Sequence, residues 1–255
     1  LAVDVILFDL EDAVAVDEKE NARATLATAL EQDYVPRYKI VRINGLDTEW
    51  GAEDAAVVAS MACDAVLLPK VNNASDVTAL AELTPDLPIW AMMETPQGIL
   101  NAAEIAAHPR LEGFVLGTND LAKDLNTRTR NALRTSLQLC MLAARAHGVI
   151  ALDGVYNKFK DEEGLRVECD DGRDMGFDGK TLIHPAQVAA CNEVFGPSDE
   201  EIDLAKRQIA AFEAAEAEGK GVAVVDGKIV ENLHIVTAQA TLAKAKVIAE
   251  LETTS

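Results

Sequence analysis

METPQG (Met93 to Gly98) and GTNDLAKD (Gly117 to Asp124) each close an apolar run with a cluster of charged and polar residues. The same pattern recurs seven times along the chain, in VDVILFDL (3 to 10), YKIVRI (38 to 43), DAVLLPKV (64 to 71), PIWAMME (88 to 94), GFVLGT (113 to 118), GVIALDGV (148 to 155) and GKTLIH (179 to 184). These runs are near-continuous rather than alternating, as strands buried on both faces of a parallel sheet must be. A repeated strand that presents carboxylates only at its C-terminal end is how a parallel β/α barrel builds an active site.

Between the runs lie helix-patterned stretches, at 17 to 32, 53 to 62, 74 to 83, 98 to 107, 129 to 147 and 161 to 175. Strand, helix, strand repeated in this way predicts an α/β fold with a closed barrel or a doubly wound sheet. No glycine-rich nucleotide fingerprint follows any strand, so the TIM (β/α)8-type barrel is preferred. Eight strands close such a barrel and seven are legible, so we expect a first βα unit to lie ahead of Leu1. After Gly196 the pattern changes to a Ser-capped amphipathic helix, the hairpin VAVVDGKIV (222 to 230) and a last helix to about Leu251. The expected division is therefore a barrel over 1 to 195 and a helix-hairpin-helix extension over 196 to 255. That extension can cover the barrel mouth or reach a neighbouring subunit.

With 255 residues and 49% hydrophobic content, the chain can bury a full core. The excess of 43 Asp and Glu over 23 Lys and Arg, a net charge of -20, repels a phosphate backbone and argues against nucleic acid as a partner. The four cysteines (Cys63, Cys140, Cys169, Cys191) have neither disulfide-framework nor zinc-site spacing, which suits a reduced, cytoplasmic compartment. No apolar stretch reaches membrane-spanning length and no basic region precedes the first apolar run, so the expectation is a soluble protein with no membrane partner. GKT at 179 to 181 resembles part of a phosphate loop, but Asp174 stands where its first glycine is required. HExxH, GxSxG and GxGxxG are all absent from the sequence.

Glu94 and Asp120 close successive strands, so their carboxylates should converge on one mouth. Two carboxylates with water and substrate oxygens suit octahedral Mg²⁺ or Mn²⁺. The competing reading is that each only caps the helix that follows. Arg42 ends KIVRI and can bind a carboxylate bidentately or stabilise an enolate oxygen, or it can simply neutralise the acids around it. Glu11 and Asp12 in DLED, Lys70 in LLPKV, and Thr118 and Asn119 in GTND are candidates for substrate binding or for supporting the metal ligands. Lys70 also raises Schiff-base chemistry, against which stands the charge of several neighbouring carboxylates. His184, followed by Pro185, can act as a base or order the turn.

DLEDAVAVDEKENAR (9 to 23), VRINGLDTEWG (41 to 51), LLPKV, METPQG, GTNDLAKD, GKTLIHPAQV (179 to 188) and VDGKIV (225 to 230), in this order and over nearly the whole chain, resemble the citrate lyase β-subunit-like family of the HpcH/HpaI aldolase superfamily. That group includes malyl-CoA, β-methylmalyl-CoA and citramalyl-CoA lyases and malyl-CoA thioesterases. The resemblance implies that Glu94 and Asp120 bind Mg²⁺ and that Arg42 contacts the substrate carbonyl or enolate oxygen. It also implies that Asp226 is an acid/base supplied by a neighbouring subunit of a homotrimer or hexamer; from the residues alone, the Asp-Gly pair is simply a turn signal. The family's usual strand and helix of the type R-S-x-L-x-x-P, whose loop helps hold CoA, do not precede DLED here.

The reaction implied is a reversible Claisen-type cleavage of a malyl-CoA-like 3-hydroxyacyl-CoA into a 2-oxoacid such as glyoxylate and an acyl-CoA. Its partners are thus an acyl-CoA thioester and a small 2-oxoacid. Three alternatives keep the same site: a malyl-CoA thioesterase, a metal-dependent aldolase on a CoA-free substrate, and a subunit of a citrate lyase complex.

Overall fold

The computed structural model describes residues 1–254. Its order is β1 (Val5–Asp9), α1 (Lys19–Leu30), β2 (Tyr38–Arg42), α2 (Gly51–Val58), β3 (Ala65–Leu68), α3 (Ala74–Leu83), β4 (Ile89–Met93), α4 (Pro96–Leu100), α5 (Ala102–Ala106), β5 (Leu111–Leu116), α6 (Thr118–Asp124), α7 (Arg130–His147), β6 (Ile150–Asp153), α8 (Glu162–Met175), β7 (Gly179–Lys180), α9 (Val188–Phe195), α10 (Asp199–Ala217), β8 (Ala223–Val225), β9 (Lys228–Val230) and α11 (Asn232–Thr254). The first seven strands form one parallel sheet in sequence order, β1 to β7.

Every step between neighbouring strands passes through helical structure, as parallel pairing requires. One face of the sheet buries Ile40, Ala65, Leu67, Trp90, Met92 and Val115 against Val5 and Leu7. The strand period of two then carries Asp9, Arg42 and Glu94 onto that same face, one or two positions beyond the last apolar residue.

Among the described residues, β1 and β7 are the two edges of the sheet, an open set of seven parallel strands consistent with the expected barrel-type α/β fold. Two expectations need correction. The run GKTLIH yields only two strand residues, because His184 and Pro185 open a short 3-10 turn. The helix expected over 98 to 107 breaks at Asn101, whose Nδ2 donates to the Asn72 carbonyl at 2.8 Å and ties the break to the neighbouring loop.

Leu1 and Val3–Val188 make one compact unit; Ala2 and the chain from Ala189 onward make the other. The second unit packs α10 on α11, with Phe212, Ala215, Ala223, Val230 and Ile235 as its core. Ser198 and Glu201 form a capping box at the start of α10. β8 and β9 pair antiparallel around Asp226 and Gly227, both with positive φ (49° and 73°), the backbone an Asp-Gly hairpin turn demands.

Candidate active site

Asp9 and Arg42 are partners in the β1/β2 register, so their side chains leave adjacent strands in the same direction. Arg42 Nε donates to Asp9 Oδ1 at 2.7 Å and Nη2 to Oδ2 at 2.5 Å, a bidentate fork. Asp9 also accepts the backbone N–H groups of Glu11 (2.9 Å) and Ala13 (3.2 Å). Burial works against the Asp9 carboxylate, but Arg42 and these amides outweigh it and hold the pKa below the usual 3.8. Burial likewise opposes the guanidinium, and Asp9 and Glu11 more than compensate, so Arg42 is raised.

Glu11 stands between two cations. Lys70 Nζ donates to Oε1 at 2.5 Å, while Arg42 Nη1 lies 3.0 Å from Oε2 without the alignment of a hydrogen bond. Burial is the largest influence on Glu11 and, despite both cations, leaves its pKa raised. The Arg42 guanidinium carries five N–H donors, of which Nε–H and one on Nη2 are committed to Asp9. Nη1 faces Glu11 Oε2 as an ion pair only, so the donors not committed to Asp9 are available to a substrate oxygen.

Lys70 adopts a left-handed backbone (φ 51°), which sends its N–H and its ammonium to different carboxylates. The N–H donates to Glu94 Oε1 at 2.9 Å and the ammonium goes to Glu11. Desolvation opposes the ammonium, but the Glu11 hydrogen bond and the nearby Glu11, Asp12 and Glu94 carboxylates raise its pKa. A raised lysine is a poor Schiff-base nucleophile, so the environment works against that chemistry. Asp12 is exposed, unlike Glu11 beside it.

Glu94 is 2% exposed. Burial, then the Glu11 and Asp120 carboxylates, push its carboxyl up to about 7, partly offset by the Lys70 N–H and ammonium. It is not the cap of the following helix: Thr95 is, its hydroxyl accepting the Gly98 N–H at 3.0 Å. Gly98 must be glycine because a Cβ there would sit 2.1 Å from the Val71 carbonyl. Asp120, by contrast, lies in the first turn of α6, a helix the sequence reading did not place. Thr118 is buried at the start of that helix, and Asn119 exchanges amide hydrogen bonds with Asn157 at 2.7 and 3.3 Å, tying α6 to the loop after β6.

The donor set fits a hard divalent cation. Glu94 and Asp120 offer carboxylate oxygens whose mutual repulsion a cation would relieve. Among the described residues no three His, Cys, Asp or Glu side chains gather as a cage, which leaves water and substrate to complete an octahedral shell. Gly117 provides the room: a Cβ there would lie 2.3 Å from Glu94 Oε2 and 2.4 Å from its Cβ. Gly117→Ala is therefore expected to displace Glu94, weakening Mg²⁺ affinity about tenfold or more and costing about 1–3 kcal/mol by overpacking. Magnesium titration and urea unfolding would check both; an alanine variant unchanged in both would show that Glu94 does not need this space.

The structure thus brings Glu11, Arg42, Lys70, Glu94 and Asp120 together on the first compact unit. Asp226 belongs to the second, where both its oxygens accept from Arg207 Nη1 at 2.8 Å. His184 stacks on Phe159, with ring centroids 4.7 Å apart, and accepts the Ala186 N–H on Nδ1, so it orders its turn. Asp9 is the site partner the sequence reading left among the other acids. The signal was present, because a carboxylate and a guanidinium ending adjacent parallel strands must meet.

The HpcH/HpaI aldolase/citrate lyase family matches residues 1–185. A (3S)-malyl-CoA thioesterase of Cereibacter sphaeroides is 67% identical over 253 residues, covering 98% of this chain and 89% of that protein. An L-malyl-CoA/β-methylmalyl-CoA lyase of the same species is 34% identical over 282 residues, covering 97% and 89%. The crystal structure of the protein CitE from Mycobacterium tuberculosis, in complex with magnesium, acetoacetate and coenzyme A, superposes with a TM-score of 0.82 at 33% identity, covering 96% of this chain and 91% of that one.

These likenesses correct the expected reaction. A carbon–carbon lyase is not what they favour: the thioesterase is about twice as similar as the lyase over the same span. The motifs could not separate the two, because both relatives act on malyl-CoA. Related enzymes act on CoA thioesters, and no helix here is long and apolar enough to cross a membrane among the described residues. The chain belongs to the HpcH/HpaI aldolase/citrate lyase family.

Proposed function

We propose that this chain hydrolyses the thioester of (3S)-malyl-CoA, releasing malate and free CoA. The observation that carries the proposal is 67% identity to a (3S)-malyl-CoA thioesterase across nearly the whole chain. The geometry supports it. Glu94 and Asp120 would hold Mg²⁺, which when bound supplies a Lewis acid and a template for the malyl carboxylate and hydroxyl oxygens.

The remaining steps belong to the chain. Arg42, fixed by the Asp9 fork, turns its uncommitted N–H groups to the thioester oxygen as water adds and negative charge develops there. Glu11 and Lys70 hold the other end of that guanidinium and the loop carrying the Glu94 contact. Asp226, from a neighbouring copy in a trimer or hexamer, takes the proton of the attacking water. Collapse of the adduct breaks the carbon–sulfur bond, and the leaving CoA thiolate takes up the proton that Asp226 removed from water, which returns Asp226 to its carboxylate. Thr118 and Asn119 act by holding the first turn of α6, and with it Asp120.

Incubation with (3S)-malyl-CoA is expected to release free thiol in step with malate and no glyoxylate. EDTA should abolish the reaction, and Mg²⁺ or Mn²⁺ should restore it. Acetyl-CoA and glyoxylate in equal amounts without free thiol would sink the proposal.

A further inference from the structure

Behind the Glu11–Arg42 contact lies a second polar cluster, made entirely of residues outside the reacting groups. Lys19, at the start of α1, is 7% exposed, and its Nζ donates to the Leu10 carbonyl at 2.8 Å, the Glu11 carbonyl at 2.7 Å and Asn44 Oδ1 at 2.8 Å. Those three bonds use every hydrogen of an ammonium. Asn44 donates Nδ2 to the Leu10 carbonyl at 2.9 Å and to Asp54 Oδ2 at 2.6 Å, and its backbone N–H to the same Oδ2 at 2.9 Å. Asp54 Oδ1 accepts from Arg23 Nε at 2.6 Å. The Trp50 ring lies 5.4 Å from the Lys19 ammonium. Asn44, Asp54 and Arg23 are 3%, 1% and 6% exposed.

Buried charge of this kind is a weak device for stability, since apolar residues of similar volume commonly do as well or better. What it supplies is geometry. The acceptors of Lys19 are the two carbonyls that follow β1 directly and the side chain two residues past Arg42, so one ammonium ties together the loops that aim Glu11 and Arg42. Glu11 is sandwiched: its carbonyl is held by Lys19 and its carboxylate by Lys70.

We propose that Lys19 is a positioning residue for the hydrolytic reaction, holding the β1 and β2 loops so that Glu11 keeps the Arg42 guanidinium in register with the thioester oxygen. The inference rests on the thioesterase reading for its rate prediction and on the hydrogen-bond geometry for its structural one. A misplacement of about 1 Å at a reacting group costs about a hundredfold in rate, and loss of a supporting contact typically costs 10–100-fold.

Lys19→Met is therefore expected to lower kcat about 10–100-fold with KM for malyl-CoA within about threefold. Because Lys19 acts through Glu11, the Lys19→Met, Glu11→Gln double variant should be no slower than the slower single variant. Hydrogen exchange in Lys19→Met should accelerate at residues 10–14 and 43–46 together. If Lys19→Met does not give a cooperative melt, Asn44→Ala breaks the same tie from the other loop and is judged by the same three readouts.

An unchanged kcat with only a lower Tm would overturn the proposal, as would losses that multiply in the double variant. If the wild-type chain released no CoA from malyl-CoA, the functional reading would fail by itself. The exchange measurement would then decide the positioning role alone, with unchanged exchange in both loops refuting it.

Discussion

Glu94→Gln is expected to abolish Mg²⁺-dependent turnover while making the metal-free protein more stable at neutral pH. Both effects have one source. The Glu94 carboxyl sits at about 7 against an ordinary 4.5, mainly through burial and then through Glu11 and Asp120. A group raised on folding binds its proton more tightly in the native than in the unfolded chain. Stability of the metal-free protein must therefore fall as pH rises through the window from 4.5 to about 7, with the full cost present above it. The size is about 3 kcal/mol.

Glutamine cannot ionise and keeps the carbonyl that accepts the Lys70 N–H, so it escapes that cost. Urea unfolding in EDTA should show the two proteins nearly equal at low pH and the variant more stable by about 3 kcal/mol at pH 8. Added Mg²⁺ should stabilise the wild type and leave the variant unmoved. Retention of Mg²⁺-dependent turnover by the variant would remove Glu94 from the site.

The second large effect concerns Arg42. Arg42→Met is expected to lower kcat about 10²–10³-fold, the loss of a donor to a developing oxyanion. It should also cost about 3 kcal/mol, because Asp9 loses its fork and Glu11 one of its two cations. Asp9 is held below its ordinary 3.8, so the stability it draws from Arg42 is present above that pH and is lost as pH falls through the lowered value. The gap between variant and wild type should accordingly be widest near neutrality and close in acid. Arg42→Lys separates the two roles: a point charge restores part of the stability, but without the planar fork the rate stays low. A lysine variant with near wild-type kcat would show that charge alone suffices.

The sheet was legible because its strands are buried on both faces, so continuous apolar runs marked β2, β3, β4 and β5 without ambiguity. The positions of Arg42 and Glu94 at strand ends were legible as well, and the period of two carries both onto the face of Ile40 and Trp90. Other parts depended on contacts that no local pattern encodes. GTNDLAKD reads as a polar strand end but forms α6, because Gly117 can approach Glu94 and let the chain turn at once into helix.

Lys19, Arg23 and Asp54 lie in two stretches legible only as helix-patterned, yet they meet in a buried network across more than thirty residues of sequence. The left-handed backbone of Lys70, which lets one residue serve two carboxylates, has no sequence signature in a lysine. Asp226 was readable from the residues only as a turn, which it is, and its catalytic role remains the proposal the resemblance carries.

The bond that breaks is the central claim, and it can be read directly from the products formed in heavy-oxygen water. With (3S)-malyl-CoA and Mg²⁺, the account predicts one heavy oxygen in the carboxylate of each malate released, matched by one free CoA thiol, with both lost in Glu94→Gln. Glyoxylate and acetyl-CoA appearing in place of labelled malate would contradict it.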